Sequence, residues 1–204
     1  MNRIIKSFRI SVACVFVLSF LGCGTSQPSH FYLLRALSPT SDLSGTKQSS
    51  LSIGLGPVTF PEYLNRPQIV TKAGAHEVEL AEFHKWAEPL KENVVNVLQE
   101  NLSALLSTDR IVRHPWKRPS LLDYQLSLDV IQFDGTKSQE AVLKVRWTLV
   151  GEEGESRLIE KTSHFTEPVV GLDYEDFVQA MSRTLDSLSK EIADAINALP
   201  SVSS

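Results

Sequence analysis

The sequence predicts an α+β domain in which two long amphipathic helices pack on an antiparallel or mixed β-sheet. Several short segments alternate apolar and polar residues with a period of two, as half-buried strands do. Two longer segments repeat apolar residues every three or four positions, as amphipathic helices do. The chain has 204 residues, 42% of them hydrophobic and 22% charged, a size and composition that suit one globular domain with one core.

The first half of the domain is predicted to contain short strands joined by turns. Residues 51–58 alternate leucine or isoleucine with small residues, which indicates a strand with one crowded side. Val78 and Leu80 are the predicted hairpin partner of a strand at 68–71, across a turn at 74–75. The other predicted elements are a strand at 31–34, a mobile loop at 38–50, a proline-bracketed turn at 61–67 and a short strand at 111–112.

The second half is predicted to form an antiparallel meander of three strands, at 123–133, 141–150 and 157–165. The alternation in the first of these shifts phase near Val130, which indicates a β-bulge there. Turn signals at 134–135 and 153–154 separate the strands. Since Asp123, Asp129 and Asp134 are then placed at strand edges or turns, their side chains are expected to face solvent.

Two segments predict helices. The first spans 86–106 and is expected to begin near Ala87, because Pro89 fits only in a first turn. The second spans 174–199, with Asp173 as N-cap and Pro200 as stop. It is expected to pack on the sheet rather than on a membrane, because an anionic bilayer would repel its polar face. The acidic residues on that face are Glu175, Asp176, Asp186, Glu191 and Asp194.

Residues 1–22 have the features of a signal peptide. A basic start is followed by an apolar run of about a dozen residues, which is short for a spanning helix of roughly 20. Removal of this segment takes away Arg3, Lys6 and Arg9 and changes the formal net charge from −4 to −7.

The residues around Cys23, Phe-Leu-Gly-Cys-Gly, resemble the lipobox of bacterial lipoproteins. The resemblance implies that the Cys23 thiol receives a diacylglycerol and the new amino terminus an N-acyl chain, an anchor that holds stably because it has more than one chain. Gly24 stands where an Asp would signal inner-membrane retention, which resembles outer-membrane sorting. The expected organisation is a signal peptide at 1–22, a lipidated tether at 23–29 and one periplasmic domain at 30–200.

No catalytic, cofactor or metal site is predicted. Cys14 and Cys23 both precede the domain, so it has no thiol for a disulfide or a zinc site. The acidic charge and the lack of a basic run with aromatics make nucleic acid an unlikely partner, and the cations of the 114–119 segment are expected to face water in a loop. No two histidines have helical metal-ligand spacing. They are His30, His76, His84, His114 and His164.

Four stretches together resemble the PqiC (YmbA) family of lipoproteins, auxiliary components of intermembrane transport systems built around MCE proteins. They are HFYLL at 30–34, IGLGPV at 53–58, PEYLNRPQIV at 61–70 and WAEPL at 86–90. The resemblance covers nearly the whole mature chain. It implies an outer-membrane lipoprotein on the periplasmic side that docks an inner-membrane-anchored MCE-domain (PqiB-like) protein. It also implies a ring of identical subunits, phospholipid or another hydrophobic molecule as cargo, a contribution to envelope integrity and no enzymatic activity.

Tyr63, Arg66 and Trp86 are the candidate partner-docking residues, because they belong to the two most specific of these stretches. Residue type and position nevertheless favour a structural role for them over docking, with Tyr63 and Leu64 in the core, Arg66 bonded to local carbonyls and Trp86 covering the core at a helix start. Two other functions stay open. A periplasmic lipid-binding carrier would need a closed apolar cavity, and a periplasmic hydrolase would need a nucleophile and a base.

Overall fold

A computed structural model of the chain describes residues 27–37, 50–118, 121–151 and 157–199. The predictions for the signal peptide, Cys23, most of the 38–50 loop, the 153–154 turn and Pro200 lie outside these residues. The strands are β1 (His30–Tyr32), β2 (Ile53–Thr59), β3 (Gln68–Lys72), β4 (Val78–Trp86), β5 (Ile111–Arg113), β6 (Tyr124–Thr136), β7 (Glu140–Val150) and β8 (Arg157–Pro168). The helices are α1 (Leu90–Leu106) and α2 (Tyr174–Asn197), and a 3-10 turn spans Glu62–Leu64.

The described strands form two sheets. The larger has the order β5-β2-β6-β7-β8, in which β2 pairs in parallel with β5 and β6, and β6, β7 and β8 form the predicted antiparallel meander. The smaller has the order β1-β4-β3, with β1 parallel and β3 antiparallel to β4. The predicted α+β class with mixed pairing is therefore confirmed, and the predicted 68–71 hairpin is confirmed with a longer second strand.

The bulge in β6 is confirmed, but the turn after it was predicted in the wrong place. The register with β7 shifts between Val130 and Gln132. β6 then continues through Asp134 and Gly135, and the turn follows at 137–139. Gly135 is needed for a close approach of two backbones rather than for a turn, because a Cβ there would lie 2.0 Å from the Glu140 carbonyl oxygen.

The first helix begins later than predicted, at Leu90, and Trp86 is the last residue of β4. The backbone N–H of Trp86 donates to the Pro67 carbonyl (2.7 Å), and that of Ala87 donates to the Tyr32 carbonyl (2.9 Å). Strand pairing therefore continues to this point. Proline disfavours helical backbone in the residue before it, so the helix starts only after Pro89, which is its N-cap.

The second helix begins as predicted, with Asp173 and Asp176 forming a reciprocal capping box. Its apolar stripe is buried and packs on β7, β8 and α1, as predicted. The polar face is less exposed than expected, because Asp186 and Glu191 are half-buried. Asp186 accepts a hydrogen bond from Asn101 on α1 (3.1 Å). Polar partners on neighbouring elements thus extend the contact surface of this helix beyond its apolar stripe.

The hydrogen-bond donors around the Glu191 carboxylate show how this contact works. The Trp147 indole N–H (3.1 Å), the Lys161 ammonium (2.7 Å) and the Ser163 hydroxyl all donate to its carboxylate. Burial alone would raise the pKa of Glu191, but these three hydrogen bonds together outweigh it and lower the pKa. The carboxylate therefore joins α2 to β7 and β8.

Candidate functional site

A cleft lies between the 3-10 turn and the start of α1, and we call it the turn–helix cleft. Its volume is about 510 Å³. The sequence brings its walls together because the turn precedes β3, β4 returns beside β3, and α1 starts directly after β4. The apolar lining residues are Phe60, Leu64, Pro67, Trp86, Pro89 and Leu90, and the charged ones are Glu62, Arg66, Glu88 and Lys91.

Two of the three candidate docking residues, Arg66 and Trp86, meet in this cleft. Trp86 is buried, with 5% of its surface exposed. Arg66 is half-buried, and its Nε atom is buried without a hydrogen-bond partner among the described residues. The predicted alternative of bonds to local carbonyls therefore does not hold for this atom. A buried donor without an acceptor costs about 1–3 kcal/mol, so the residues around Arg66 leave this part of its guanidinium unsatisfied.

The start of α1 adds a positive potential to the cleft. Its N-cap is Pro89, which offers no side-chain acceptor, so the first backbone N–H groups of the helix have no capping partner. Lys91 stands in this first turn and is exposed. Glu88 accepts a hydrogen bond from Asn96 (3.1 Å), which fixes one of the two carboxylates of the cleft in place. The cleft thus combines an apolar wall with donors that lack acceptors.

Tyr63, the third candidate, does not line the cleft but lies in a buried polar cluster behind it. Its hydroxyl donates to Asp134 Oδ2 (2.7 Å), and Gln132 Nε2 donates to Asp134 Oδ1 (2.7 Å). Lys72 Nζ lies 3.6 Å from the same carboxylate, whose side chain is only 1% exposed. Burial, and then the bond to Asp134, raise the pKa of Tyr63. Tyr63 therefore joins the 3-10 turn to β6.

The predicted position of Asp134 was wrong. It was expected at a turn and facing solvent, but it is buried in β6. After the bulge, Phe133 faces the main core and Asp134 faces the other side of the sheet, which Tyr63 and Lys72 cover. Only the packing of the smaller sheet on that side reveals the burial, so no local signal in the sequence could have shown it.

A second constellation surrounds His84, and we call it the histidine–tyrosine column. The His84 ring stacks on Tyr174 with centroids 4.1 Å apart and on His30 at 5.2 Å. The Tyr32 hydroxyl lies 2.7 Å from His84 Nδ1, and Lys137 Nζ lies 4.4 Å from the Tyr174 ring centroid. Burial, with smaller contributions from the positive charges of His30 and Lys137, lowers the pKa of His84. The column links β1, β4 and the start of α2.

Within the described residues, no group of three or more His, Cys, Asp or Glu side chains is placed to hold a metal ion. In the same part of the chain, no helix is both long enough and apolar enough to cross a membrane.

Comparison with known proteins identifies the family. Residues 32–193 match the family described as the ABC-type transport auxiliary lipoprotein component. This match spans most of the chain, including both sheets, both helices and the turn–helix cleft. The chain therefore belongs to this family of transport auxiliary lipoproteins.

Individual relatives agree with this assignment. The chain is similar to the intermembrane transport lipoprotein PqiC of Escherichia coli (strain K12), with 22% identity over 195 residues that cover 96% of this chain and 100% of the relative. The resemblance to the PqiC family inferred from the four stretches is thus confirmed.

Solved structures show the same fold. An uncharacterized protein aligns with a TM-score of 0.68 at 20% identity, covering 83% of this chain and 99% of that protein. The protein XCC0632 of Xanthomonas campestris aligns with a TM-score of 0.65 at 15% identity, covering 80% and 92%.

Proposed function

We propose that this protein is the outer-membrane-anchored subunit of an intermembrane phospholipid transport system, where it docks an MCE-domain protein that is anchored in the inner membrane. The observation that carries this proposal is the family match over 32–193, together with alignment to PqiC along that relative's entire length. The name of that relative assigns it to intermembrane transport. In this proposal the protein has no catalytic role, acts as a homo-oligomer and contributes to envelope integrity.

The anchor in this proposal is Cys23, carrying a diacylglycerol and an N-acyl chain. The first strand begins at His30, only seven residues after Cys23 in the sequence. An anchor with more than one acyl chain dissociates from a bilayer negligibly. The domain would therefore stay at the membrane surface while a partner approaches from the periplasm.

The docking site in this proposal is the turn–helix cleft. Its apolar wall offers a place for an apolar anchor side chain, and Trp86 and Arg66 are of the residue types that dominate binding energy at interfaces. Among the described residues, no side chain caps the first N–H groups of α1, and a carboxylate or carbonyl from the partner would supply the acceptor beside Arg66, which lines the same cleft. Tyr63 acts from behind, by holding the turn that presents Arg66.

The alternative function is a lipid-binding carrier. The apolar wall of the turn–helix cleft favours it, since an acyl chain could lie there. A carrier must nevertheless enclose its cargo, and this cleft is open to solvent. Lipid that co-purifies in stoichiometric amount with the delipidated, unacylated Cys23→Ala protein would support the carrier.

The docking proposal is tested by affinity capture from envelope membranes after chemical crosslinking. We expect the wild type to capture an MCE-domain protein, and the Arg66→Ala variant to capture much less of it. Arg146→Ala is the matched control, because Arg146 is an exposed arginine on β7 whose one ion pair within the described part of the chain is with the exposed Asp129. Equal capture by all three proteins would contradict docking at this cleft.

The anchoring proposal is tested separately by membrane fractionation of the wild type and Cys23→Ala. We expect the wild type in the outer-membrane fraction and the variant either in the soluble fraction or unprocessed. A wild type that fractionates with the inner membrane would contradict the proposed location and leave the family assignment intact.

A further inference from the structure

The most exposed large apolar side chains of the described residues are concentrated in two segments. Val170 and Leu172, in the connection between β8 and α2, are 78% and 74% exposed. Phe31 and Leu33, in and just after β1, are 64% and 50% exposed. We call these four residues the tether-side patch. Among the other described large apolar residues, Leu121 is 60% exposed and the rest are at most 46% exposed. Exposure of several such side chains together marks a contact surface.

The histidine–tyrosine column brings the two segments together. His30, directly before Phe31, stacks on His84, and His84 stacks on Tyr174, two residues after Leu172. Phe31 and Leu33 also line one cleft with Glu175 from the first turn of α2. The two segments thus lie on the same end of the domain.

The loop that carries Val170 and Leu172 is held in one conformation. Gly171 has a φ of +135°, which L side chains rarely adopt, and a Cβ there would lie 2.0 Å from an Asp176 carboxylate oxygen. The same carboxylate accepts the Asp173 backbone N–H (3.1 Å) within the capping box. The Val169 N–H donates to the Gln139 carbonyl (2.9 Å) at the other end of the loop. The exposed side chains are therefore displayed by a fixed loop.

The same end of the domain receives the chain from the anchor. Phe31 follows Cys23 by eight residues, and a fully extended chain spans at most about 3.6 Å per residue, or roughly 29 Å. If Cys23 is acylated, as the proposed function requires, Phe31 cannot lie farther than this from the bilayer. The position of Phe31 in the sequence thus keeps this end of the patch within about 29 Å of the bilayer.

We propose that the tether-side patch inserts into the interfacial region of the bilayer that holds Cys23. This inference rests on the proposed anchor and adds a second membrane contact to it. The neighbouring charges are mixed, with Arg35 and Lys137 near Asp173, Glu175 and Asp176. Insertion therefore depends on burial of apolar side chains rather than on attraction to anionic lipids.

Insertion at this end fixes the orientation of the whole domain. Lys137, at the far end of β6, lies over the Tyr174 ring, whereas Leu121 precedes the start of β6. A strand rises about 3.4 Å per residue, so the length of β6 separates these two positions by roughly 40 Å. Leu121, equally apolar and also exposed, therefore lies at the opposite end of β6 from the patch. This makes Leu121 a matched control.

The test uses the full-length processed lipoprotein in phosphatidylcholine vesicles, with a nitroxide at one introduced cysteine. Cys14 leaves with the signal peptide and the Cys23 thiol is acylated, so Leu172→Cys and Leu121→Cys each carry the only free thiol. We expect the label at 172 to be severalfold less accessible to a water-soluble relaxing agent, and more accessible to oxygen, than the label at 121. Val170→Cys gives an independent second position in the patch.

Three outcomes would overturn the proposal. Equal water accessibility at 172 and 121, in protein that floats with the vesicles, would refute insertion and leave the anchor intact. Protein that does not float with the vesicles would refute the anchor itself. Protection of position 172 in unacylated Cys23→Ala protein without vesicles would show that a second copy of the chain covers the patch instead.

Discussion

Substitution of Tyr63 by Phe separates the structural role of the 3-10 turn from its docking role. The variant keeps the ring but removes the hydroxyl that donates to Asp134 at 2.7 Å. The Asp134 carboxylate is 1% exposed, so water cannot replace the lost donor. Gln132 at 2.7 Å and the ammonium of Lys72 at 3.6 Å remain as partners and limit the loss.

The expected cost is about 2 kcal/mol of unfolding free energy, since a hydrogen bond to a charged group contributes about 1.5–3 kcal/mol. Urea unfolding of the wild type and Tyr63→Phe, both with Cys23→Ala and followed by circular dichroism, measures this difference. Capture of the MCE-domain protein by the acylated variant should change little, because the ring that packs the turn against the core is kept and Tyr63 does not line the turn–helix cleft.

The pH dependence of the same pair provides a second check. The pKa of Tyr63 is raised in the folded protein above its ordinary value of 10.0. A raised pKa means that the stabilisation is fully present below about pH 10 and is lost as the pH rises above it. The stability difference between wild type and Tyr63→Phe should therefore shrink above pH 10. A difference below about 0.5 kcal/mol at pH 7, where a lost bond to a buried charge should cost more, would refute the assigned role of the cluster.

Three further substitutions test other parts of the fold. Gly135→Ala should destabilise the domain by about 1–3 kcal/mol or more, measured by thermal unfolding, because its Cβ would meet the Glu140 carbonyl; unchanged stability would contradict the close approach of β6 and β7. Glu191→Gln should lower the free energy of unfolding by about 1 kcal/mol at pH 7. Because the pKa of Glu191 is lowered in the folded protein, the stability difference between wild type and variant should vanish as the pH falls below 4.5, the ordinary pKa of a glutamate. A difference that stays constant with pH would count against the assigned hydrogen bonds. The pKa of His84 is lowered in the folded protein, so the contribution of neutral His84 to stability is present above pH 6.5 and lost below it. The wild type should therefore lose more unfolding free energy between pH 7 and pH 5 than His84→Gln. Parallel plots of unfolding free energy against pH for the two proteins would contradict this.

The sequence predicted most of the fold because periodicity reports burial within one element. The stripe of α2, its N-cap at Asp173 and the meander of β6 to β8 follow from local patterns, and even the bulge near Val130 appeared as a change of phase. The predicted start of α1 was three residues too early. Trp86 bonds to Pro67 and Ala87 to Tyr32, and these hydrogen bonds join positions that are distant in the sequence, so local periodicity does not reveal them.

The candidate site was predictable only in part, for a related reason. Arg66 and Trp86 were named from motif residues, and the structure brings them into one cleft. Tyr63 and Asp134 are joined by a hydrogen bond although they are 71 residues apart in the sequence. The side chains that bury Asp134 thus belong to other elements of the fold, and the local sequence around Asp134 does not indicate them. Likewise, Val170 and Leu172 are exposed because the core lies on the other side of their loop. Sequence periodicity indicates the buried side of a helix or strand, but it gives no such information for a loop.

Site-specific photocrosslinking in living cells tests most directly whether the turn–helix cleft docks an MCE-domain protein. A photoreactive amino acid replaces Lys91, which is exposed at the cleft, and in a control protein replaces Thr162, which is exposed on β8. We expect crosslinks to an inner-membrane-anchored MCE-domain protein from position 91 and far fewer from position 162. If position 91 gives no such crosslink in protein that is shown to be in the outer membrane, docking at this cleft is contradicted.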